Sequence, residues 1–434
     1  MSPLIIGVLG ICVLFALLAL RMQIGFAMAL VGFGGFVVLN SFESGFAVLG
    51  FEPFHTSASY TLSVIPLFML MGQFANHSKL GSEIYDTVYR LIGYLPGGLA
   101  MATIGACSLF AAISGSSLAT AAMFGVIALP EMQKLKYSDK LATGCIAAGG
   151  TLGILIPPSS VLILYGILTE QGIGRLFIAG VIPGIILALM FIVTIYIMTR
   201  IKPEMGRPGP RFTAREKLAS LKNTWAIITL FFLVIGGLYT GWFTPTEAAG
   251  AGAFGAFMIT LIKGRLTFKT LVDSLKEAAS STAMIFGILI GAMVFQYFMT
   301  LSQIPTTLAS MVVTMGWSKY AVICCIIMGF IILGCFMEGL SIMVLAVPIV
   351  FPIVINLGFD PIWFGIIITL TMEMSLITPP VGVNVFVLSG VAKEIPMSTM
   401  FKGILPFWVA MFACIILLLI FPEIVLFLPN RMMG

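Results

Sequence analysis

The chain has 434 residues, of which 60% are hydrophobic and only 9% are charged, and its mean hydropathy is +1.13. Soluble globular proteins carry about 25% charged residues, so this composition excludes a soluble domain. Since a membrane-spanning helix needs roughly 20 apolar residues, the sequence predicts an all-α polytopic membrane protein. The net charge of +5 is not in itself evidence for nucleic-acid binding.

Apolar runs predict the helices in chain order. The first run precedes the first cation, Arg21, so we expect a retained helix and not a signal peptide. Further runs lie near 24–42, 59–76, 97–130, 141–170, 176–199, 225–242, 247–262, 280–299, 320–354, 362–392 and 403–428. Segments 78–94 and 303–316 have mixed polarity and are predicted to be amphipathic connectors. The most polar segment, 200–224, is predicted to be a basic cytoplasmic linker.

The positions of lysine and arginine predict the orientation, because cytoplasmic loops retain an excess of them. If the linker lies inside, and if 97–130 and 320–354 each enter and leave on one side, all 22 cations except Arg175, Lys319 and Arg431 lie inside. If either run crossed the membrane once, the following loops would change sides and the lysines and arginines would be less clearly concentrated inside. The charges therefore favour two re-entrant hairpins and an N-terminus outside.

Two halves of the chain share one plan. Pro130 and the pair Pro157-Pro158 recur 222 residues later as Pro352 and Pro379-Pro380. The halves are 1–199 and 225–434, with scaffold helices (1–76 and 225–299), connectors (78–94 and 303–316), hairpins (97–130 and 320–354), broken helices (141–170 and 362–392) and closing helices (176–199 and 403–428). Because the two hairpins enter from opposite faces, we expect inverted-topology repeats.

Length also favours the hairpins. A straight helix over 97–130 would be about 50 Å long, whereas the hydrocarbon core is roughly 30 Å thick. The predicted tips are Ile113 to Ser117 and Met337 to Ser341, where small and polar residues interrupt the apolar runs. The alternative is a pair of long, tilted, glycine-kinked helices.

The two Pro-Pro segments predict broken helices. Tandem prolines remove backbone donors, so carbonyl oxygens one turn earlier lose their partners. Na⁺ is a hard cation that binds such oxygens. For either segment alone, the alternative is an ordinary proline kink whose free carbonyl groups are hydrogen-bonded by a neighbouring serine or threonine. Because there are two matched copies, each paired with a hairpin tip, the sequence favours ion and substrate sites.

The few acids in or near the apolar regions favour cation coupling. They are Glu338, Glu373 and Glu247, and intramembrane carboxylates are functional candidates by default. Glu338 could be an ion ligand, a proton carrier or a hydrogen-bonded helix cap, and Glu373 could orient the broken helix through backbone donors. No Walker A motif or nucleophile arrangement is visible, so we expect no enzyme and no cofactor besides the coupling ion.

Three stretches, 149–184, 241–253 and 376–392, resemble the large membrane subunit of tripartite ATP-independent periplasmic (TRAP) transporters. The stretch RMQIGFAMA near the start departs from many relatives, which leaves only the subfamily open. The resemblance implies an elevator-type fold like that of the ion-transporter superfamily and Na⁺-coupled import of an organic carboxylate or sulfonate. It also implies a bacterial inner-membrane location with a periplasmic N-terminus, a separate small (Q-type) membrane subunit and a periplasmic substrate-binding (P-type) protein.

The resemblance further implies three groups of site residues. Sodium site one would comprise Ser114, Gly115, Ser116, Ser117, Gly149, Gly150, Thr151 and Gly153. Sodium site two would comprise Glu338, Gly339, Ser341, Thr378, Pro379, Val381 and Gly382. The substrate would contact Ser116, Pro157, Pro158, Ser159, Thr378, Pro380 and Asn384. A substrate-gated channel and an intramembrane enzyme are the competing functions.

Overall fold

The computed structural model describes residues 2–314 and 316–432. Residue 315 of the predicted connector 303–316, and residues 1, 433 and 434 at the ends of the two predicted halves, lie outside the described residues. All regular elements in the described residues are helical. Six helices are long and apolar enough to cross a membrane, or up to eight if each of two bent pairs forms one span. The predicted all-helical polytopic membrane protein is confirmed.

The first half contains ten helices within the described residues. They are α1 (Pro3–Ala19), α2 (Ile24–Leu39), α3 (Phe42–Ser57), α4 (Val64–His77), α5 (Leu80–Ile92), α6 (Gly98–Ser114), α7 (Ser117–Lys134), α8 (Asp139–Leu155), α9 (Ser160–Leu168) and α10 (Ile173–Ile201). A short 3₁₀ turn, Tyr60–Ser63, precedes α4.

The linker and the second half contain the remaining helices of the described chain. They are α11 (Ala214–Leu221), α12 (Trp225–Phe231), α13 (Gly237–Tyr239), α14 (Pro245–Ile262), α15 (Phe268–Ser302), α16 (Ile304–Thr314), α17 (Lys319–Gly334), α18 (Gly339–Asn356), α19 (Pro361–Ser375), α20 (Val383–Val391), α21 (Met397–Ile420) and α22 (Glu423–Met432). A π-helical turn, Phe232–Gly236, joins α12 to α13.

The chain folds back on itself between α6 and α7. The ring centroids of Phe110 and Phe124 are 5.9 Å apart, whereas a continuous helix would separate these positions by about 21 Å. At the other end of the hairpin, the Leu99 N–H donates to the Tyr137 hydroxyl at 3.2 Å. These contacts exclude the single long helix that was the alternative for 97–130.

The second hairpin, α17 with α18, also folds back on itself. Val322 on α17 packs with Ile353 on α18 in a small apolar cluster. The rings of Tyr320 and Phe359, at the base of the hairpin, are 6.0 Å apart. Residues more than 30 positions apart in sequence therefore meet at the base, so this segment is also not one straight helix.

The second part of each broken helix packs against the hairpin of the other half. Helix α9 packs against α18, and α20 packs against α7. Helix α8 lies between α6 and α7, and α19 lies against α17 and α18. The hairpins and broken helices of both halves therefore form one packed block.

Two elements differ from the sequence prediction. Helix α3 was not predicted, because Glu52, Pro53 and His55 within it are typical of a loop. In the structure, the Thr56 hydroxyl donates to the Glu52 carboxylate at 2.9 Å, which lets a charged residue lie buried. The predicted closing helix 403–428 is two helices, because Pro422 disfavours helix at Phe421, whose φ is −121° and ψ 73°.

The connector α5 joins three parts of the molecule. Glu83 on α5 pairs with Lys263 and Arg265, which lie between α14 and α15, and the Arg265 guanidinium is 2.9 Å from the Glu83 carboxylate. The Thr87 hydroxyl donates to the Ser220 carbonyl of α11 at 2.9 Å. Helix α5 also packs against α6 of the first hairpin. It therefore ties the scaffold, the linker and the hairpin together.

Candidate ion and substrate site

The tip of the first hairpin is a short break between α6 and α7. Gly115 has a φ of +60°, which glycine adopts without steric cost. The Ser116 hydroxyl caps α7 by accepting from the Ala119 N–H at 3.3 Å. The Ser114 and Thr120 hydroxyls are 2.9 Å apart, and the Thr120 hydroxyl donates to the Ser116 carbonyl at 2.8 Å. These bonds hold the tip in one conformation.

The first tip contacts the first helix break directly. A methyl group added at Gly153 of α8 would lie 2.6 Å from the Ser116 carbonyl oxygen. The Ser160 hydroxyl, at the start of α9, donates to the Gly115 carbonyl at 3.1 Å. The structure therefore brings the predicted tip and break residues of the first half together, and only glycine at position 153 permits this approach.

The first arm of the second hairpin and the second break are joined in a similar way. The Cys335 thiol donates to the Pro379 carbonyl at 3.3 Å. The Thr378 hydroxyl donates to the Met374 carbonyl at 2.7 Å and accepts from the Trp408 indole at 3.0 Å. In both halves one side-chain hydrogen bond connects the end of a hairpin to a Pro-Pro segment.

The two breaks differ in exposure. Pro157, Pro158 and Ser159 are buried, whereas Pro379 and Pro380 are exposed. Val381, next to them, is 40% exposed. The first break is therefore closed, while the second is open to the surroundings of the chain.

A small cavity of about 50 Å³ lies between the two hairpin tips. Its wall is formed by Ser116, Ser117, Leu118, Ile154, Ser160, Glu338, Gly339, Leu340, Leu376 and Val383. Ligand pockets for small organic molecules usually measure about 300–1,000 Å³. The cavity can hold an ion or a few waters, and an organic anion would enter only after the tips separate.

Four helices begin at this cavity. The first residues of α7, α9, α18 and α20 are Ser117, Ser160, Gly339 and Val383, and all four line its wall. The N-terminus of a helix carries a partial positive charge and free N–H groups, which favour an anion. Among the described residues that line the cavity, Glu338 is the charged one. The site therefore combines convergent helix N-termini with one carboxylate.

The predicted site residues divide into two sets. Ser116, Ser117, Glu338 and Gly339 line the cavity, together with six residues that the sequence did not single out for the site. Of these six, Ser160 carries a usable signal, since it directly follows the Pro-Pro-Ser segment. Gly149 faces Cys107 on α6, and the remaining predicted residues do not line the cavity.

The three acids have different surroundings. Glu247 is exposed and forms a capping box, accepting from the Thr244 N–H at 2.8 Å, so it is a helix cap and not an interior acid. Glu338 occupies the N-cap position of α18 without a side-chain cap bond, which contradicts the cap alternative. Glu373 makes no hydrogen bond within the described chain, so the expected backbone donors are not observed.

A larger cleft, not predicted from the sequence, separates the scaffold from the α9–α10 loop. Its volume is about 680 Å³, and its wall includes Glu52, Ser59, Glu170, Gln171 and Thr244. The residues come from the scaffold on one side and from the end of the first broken helix on the other. The cleft therefore lies at the boundary between the scaffold and the packed block of hairpins and broken helices.

In the described residues, paired hairpins and broken helices surround a shared cavity. The structure of the YdaH transporter from Alcanivorax borkumensis matches with a TM-score of 0.63 at 15% sequence identity, over 87% of this chain and 88% of that chain. At this identity the likeness concerns the fold alone. The fold is thus that of a polytopic helical membrane protein.

Family membership follows from sequence comparison. Residues 11–424 match the family of the tripartite ATP-independent periplasmic transporter, DctM component, and the chain belongs to this family. The C4-dicarboxylate TRAP transporter large permease protein DctM of Pseudomonas aeruginosa is 40% identical over 385 residues, which cover 88% of this chain and 89% of that protein.

A second relative is longer. The isethionate TRAP transporter permease protein DctMQ of Oleidesulfovibrio alaskensis is 33% identical over 419 residues, which cover 96% of this chain and 66% of that protein. Both relatives are named as transporter permeases, not as enzymes. The recognition of the TRAP large subunit from the sequence is therefore confirmed, and the intramembrane enzyme is excluded.

Proposed function

We propose that this subunit imports a small organic carboxylate or sulfonate together with Na⁺. The observation that carries the proposal is the meeting of four helix N-termini at one cavity between the hairpin tips. Each such terminus favours an anion by typically 0.3–1 kcal/mol. The named substrates of the two relatives, a C4-dicarboxylate and isethionate, are small anions that carry a carboxylate or a sulfonate.

The carboxylate of Glu338 supports coupling to a cation. It lies in the wall of the same cavity, where it would repel an anionic substrate. No lysine or arginine lines this cavity among the described residues, so a co-bound cation would neutralise the repulsion. Two Na⁺ ions, one between each tip and the adjacent break, would place positive charge on both sides of the substrate.

An elevator movement fits the packing. The substrate is too large for the cavity, so transport requires the tips to part and the block of hairpins and broken helices to move against the scaffold. The cleft of about 680 Å³ lies at the boundary between these two parts. The two halves would then act as inverted repeats, each opening the site toward one side of the membrane.

The expected partners are a small Q-type membrane subunit and a periplasmic P-type substrate-binding protein. Family membership supports both, and the greater length of the DctMQ relative leaves room for a second component in that chain. We place the subunit in the bacterial inner membrane with its N-terminus in the periplasm, as the distribution of lysine and arginine favours.

Reconstitution tests the proposal. Proteoliposomes that contain both membrane subunits, with the binding protein outside, should accumulate the labelled anion when a Na⁺ gradient is imposed. A K⁺ gradient of the same size is the control and should give no accumulation. Uptake that is equal under both gradients would contradict Na⁺ coupling, and rapid conductance without saturation would favour the channel.

A further inference from the structure

The linker 200–224 carries an excess of positive charge. It holds seven lysines and arginines but only two glutamates. Five of these cations are exposed and take part in none of the ion pairs formed by the described residues. They are Lys202, Arg207, Arg211, Arg215 and Lys222. The carboxylates of the described chain therefore leave this charge uncompensated, and such a surface attracts an anionic partner.

One side of α11, within this linker, packs against the rest of the protein. Ser220 is buried, and its carbonyl accepts from the Thr87 hydroxyl of α5 at 2.9 Å. The Lys217 ammonium lies 4.6 Å from the centroid of the Tyr94 ring. These contacts determine which side of α11 points away from the protein.

The other side of α11 is exposed and amphipathic. Arg215, Leu218 and Lys222 follow one another at intervals of three and four residues, which places them on one face of a helix. Leu218 is 65% exposed, and Leu221 and Trp225 are each 42% exposed. Basic and large apolar side chains on one exposed face are typical of a helix that lies at the boundary between headgroups and hydrocarbon.

The position of α11 along the chain places this face at a membrane surface. The segment Ala214–Tyr239, which begins with α11, is long and apolar enough to cross a membrane. The polar linker leads into this span, so α11 forms the end of the span nearest to the headgroups. Tryptophan is enriched at that level of the bilayer, and Trp225 directly follows the linker.

We propose that this face of α11 binds an anionic phospholipid of the adjoining leaflet. The phosphate would lie between Arg215 and Lys222, and an acyl chain would lie along Leu218, Leu221 and Trp225. Clusters of basic residues next to a membrane span bind anionic headgroups in this way. This binding requires neither Na⁺ coupling nor an elevator movement, so it goes beyond the proposed function.

The same linker connects the lipid site to the base of the first hairpin. The Gly97 N–H donates to the Gly206 carbonyl, and the Gly209 N–H donates to the Gly93 carbonyl, both at 2.9 Å. A lipid bound to α11 would hold one end of the linker at the membrane surface while its other end stays bonded to the hairpin base.

Native mass spectrometry of the purified full chain with its small subunit, titrated with dioleoylphosphatidylglycerol, tests the proposal. The wild type should bind this lipid more tightly than dioleoylphosphatidylcholine, which has the same acyl chains and no net charge. Arg215→Gln combined with Lys222→Gln should weaken the binding about 25-fold, since each basic residue near anionic lipid contributes about fivefold. Equal affinity of the wild type for both lipids, or unchanged affinity in the double variant, would overturn the proposal.

Lys269→Gln combined with Lys276→Gln is the matched control, because it removes the same charge from exposed positions of α15. Asp273 lies four residues after Lys269, and Glu277 directly follows Lys276, so these cations have acids close by in the sequence. The control should bind phosphatidylglycerol with wild-type affinity. A loss as large as that in the α11 variant would show that binding follows total charge and would overturn the site on α11.

A charge-conserving exchange, Arg215→Lys combined with Lys222→Arg, separates the effect of charge from a local change of structure. It should keep the wild-type affinity for phosphatidylglycerol, and a loss equal to that of the glutamine variant would overturn the role of charge. If the glutamine variant instead released the small subunit and kept its affinity for the lipid, this face would bind that subunit and the lipid site would be refuted.

Discussion

Ser116 combines two roles at the first hairpin tip. Its hydroxyl caps α7, and its side chain lines the cavity between the two tips. The sequence indicates the importance of this position, because a Gly-Ser-Ser run inside an apolar segment is unfavourable in lipid. What the sequence does not show is that Leu118 and Ile154 close the cavity around it, since that contact depends on packing between helices.

Ser116→Leu should therefore abolish function while the protein still accumulates in the membrane. A leucine side chain would fill the cavity of about 50 Å³, and overpacking of this kind costs typically 1–3 kcal/mol. We expect no uptake above the background of empty liposomes, with the same amount of reconstituted protein as for the wild type.

Ser389→Leu on α20 is the control for this variant, because its side chain lies away from the cavity. It should transport at the wild-type rate. Equal rates of uptake in Ser116→Leu and Ser389→Leu would show that the cavity between the tips is not on the substrate path.

Glu373 shows the limit of residue-level prediction. The sequence identifies it as a carboxylate within an apolar run, which makes it a functional candidate. Backbone donors near the broken helix were the suggested partners, but neither carboxylate oxygen accepts a hydrogen bond within the described chain. Whether a buried acid finds a donor depends on how several helices pack together, which local sequence does not show.

The helix breaks depend on close approach of backbone to backbone. Gly153 on α8 lies so near the first tip that an added methyl group would meet the Ser116 carbonyl at 2.6 Å. Gly287 on α15 has no atom within 4 Å of the same added position. A larger residue should therefore disturb the structure at position 153 but not at position 287.

Gly153→Ala should lower both stability and transport, because the tip must move away from α8. The expected loss is about 1–3 kcal/mol of unfolding free energy. Gly287→Ala should be neutral or slightly stabilising, since alanine favours a helix by about 1 kcal/mol over glycine. Thermal unfolding of the purified complex and Na⁺-driven uptake measure both effects, and similar values for the two variants would contradict the close approach.

The accuracy of sequence prediction differs between elements for physical reasons. The breaks at 157–158 and 379–380 follow from the covalent structure of proline, so the sequence locates them well. Helix α3 was missed because its polar residues are stabilised by distant groups, such as Tyr297, whose hydroxyl donates to Glu52 at 3.3 Å. The break before α22 had a visible signal in Pro422, which the apolar run obscured.

The packing of the linker also could not be predicted from the sequence. Its charge and its prolines predict a simple connection, and the structure instead packs it against the base of the first hairpin. The Gly97 N–H donates to the Gly206 carbonyl at 2.9 Å, and the Ser138 N–H donates to the Met205 carbonyl at 3.0 Å. Backbone hydrogen bonds of this kind have no sequence signature, because any residue can form them.

At the scale of the whole molecule, the elevator proposal predicts relative movement across the large cleft. Ser59 lies on the scaffold side, and Gln171 lies on the loop after α9. In a background without the seven native cysteines, Ser59→Cys combined with Gln171→Cys should be inactivated by a short bifunctional thiosulfonate reagent, which links the two thiols through disulfide bonds. Uptake should return after reduction, because the cross-link prevents the moving block from sliding.

The single variants Ser59→Cys and Gln171→Cys are the controls for this experiment. Each should keep its uptake after treatment, since one thiol cannot bridge the cleft. Full transport by the completely cross-linked double variant would show that the scaffold and the block do not move apart at this boundary.

A density map of the complete membrane complex, determined with substrate in Na⁺ and again in K⁺, tests the central claim most directly. In Na⁺, we predict an anion held by the first turns of α7, α9, α18 and α20, with ion density between each hairpin tip and its neighbouring break. In K⁺ these features should be absent. An anion bound elsewhere, or tips without ion density in Na⁺, would contradict the account.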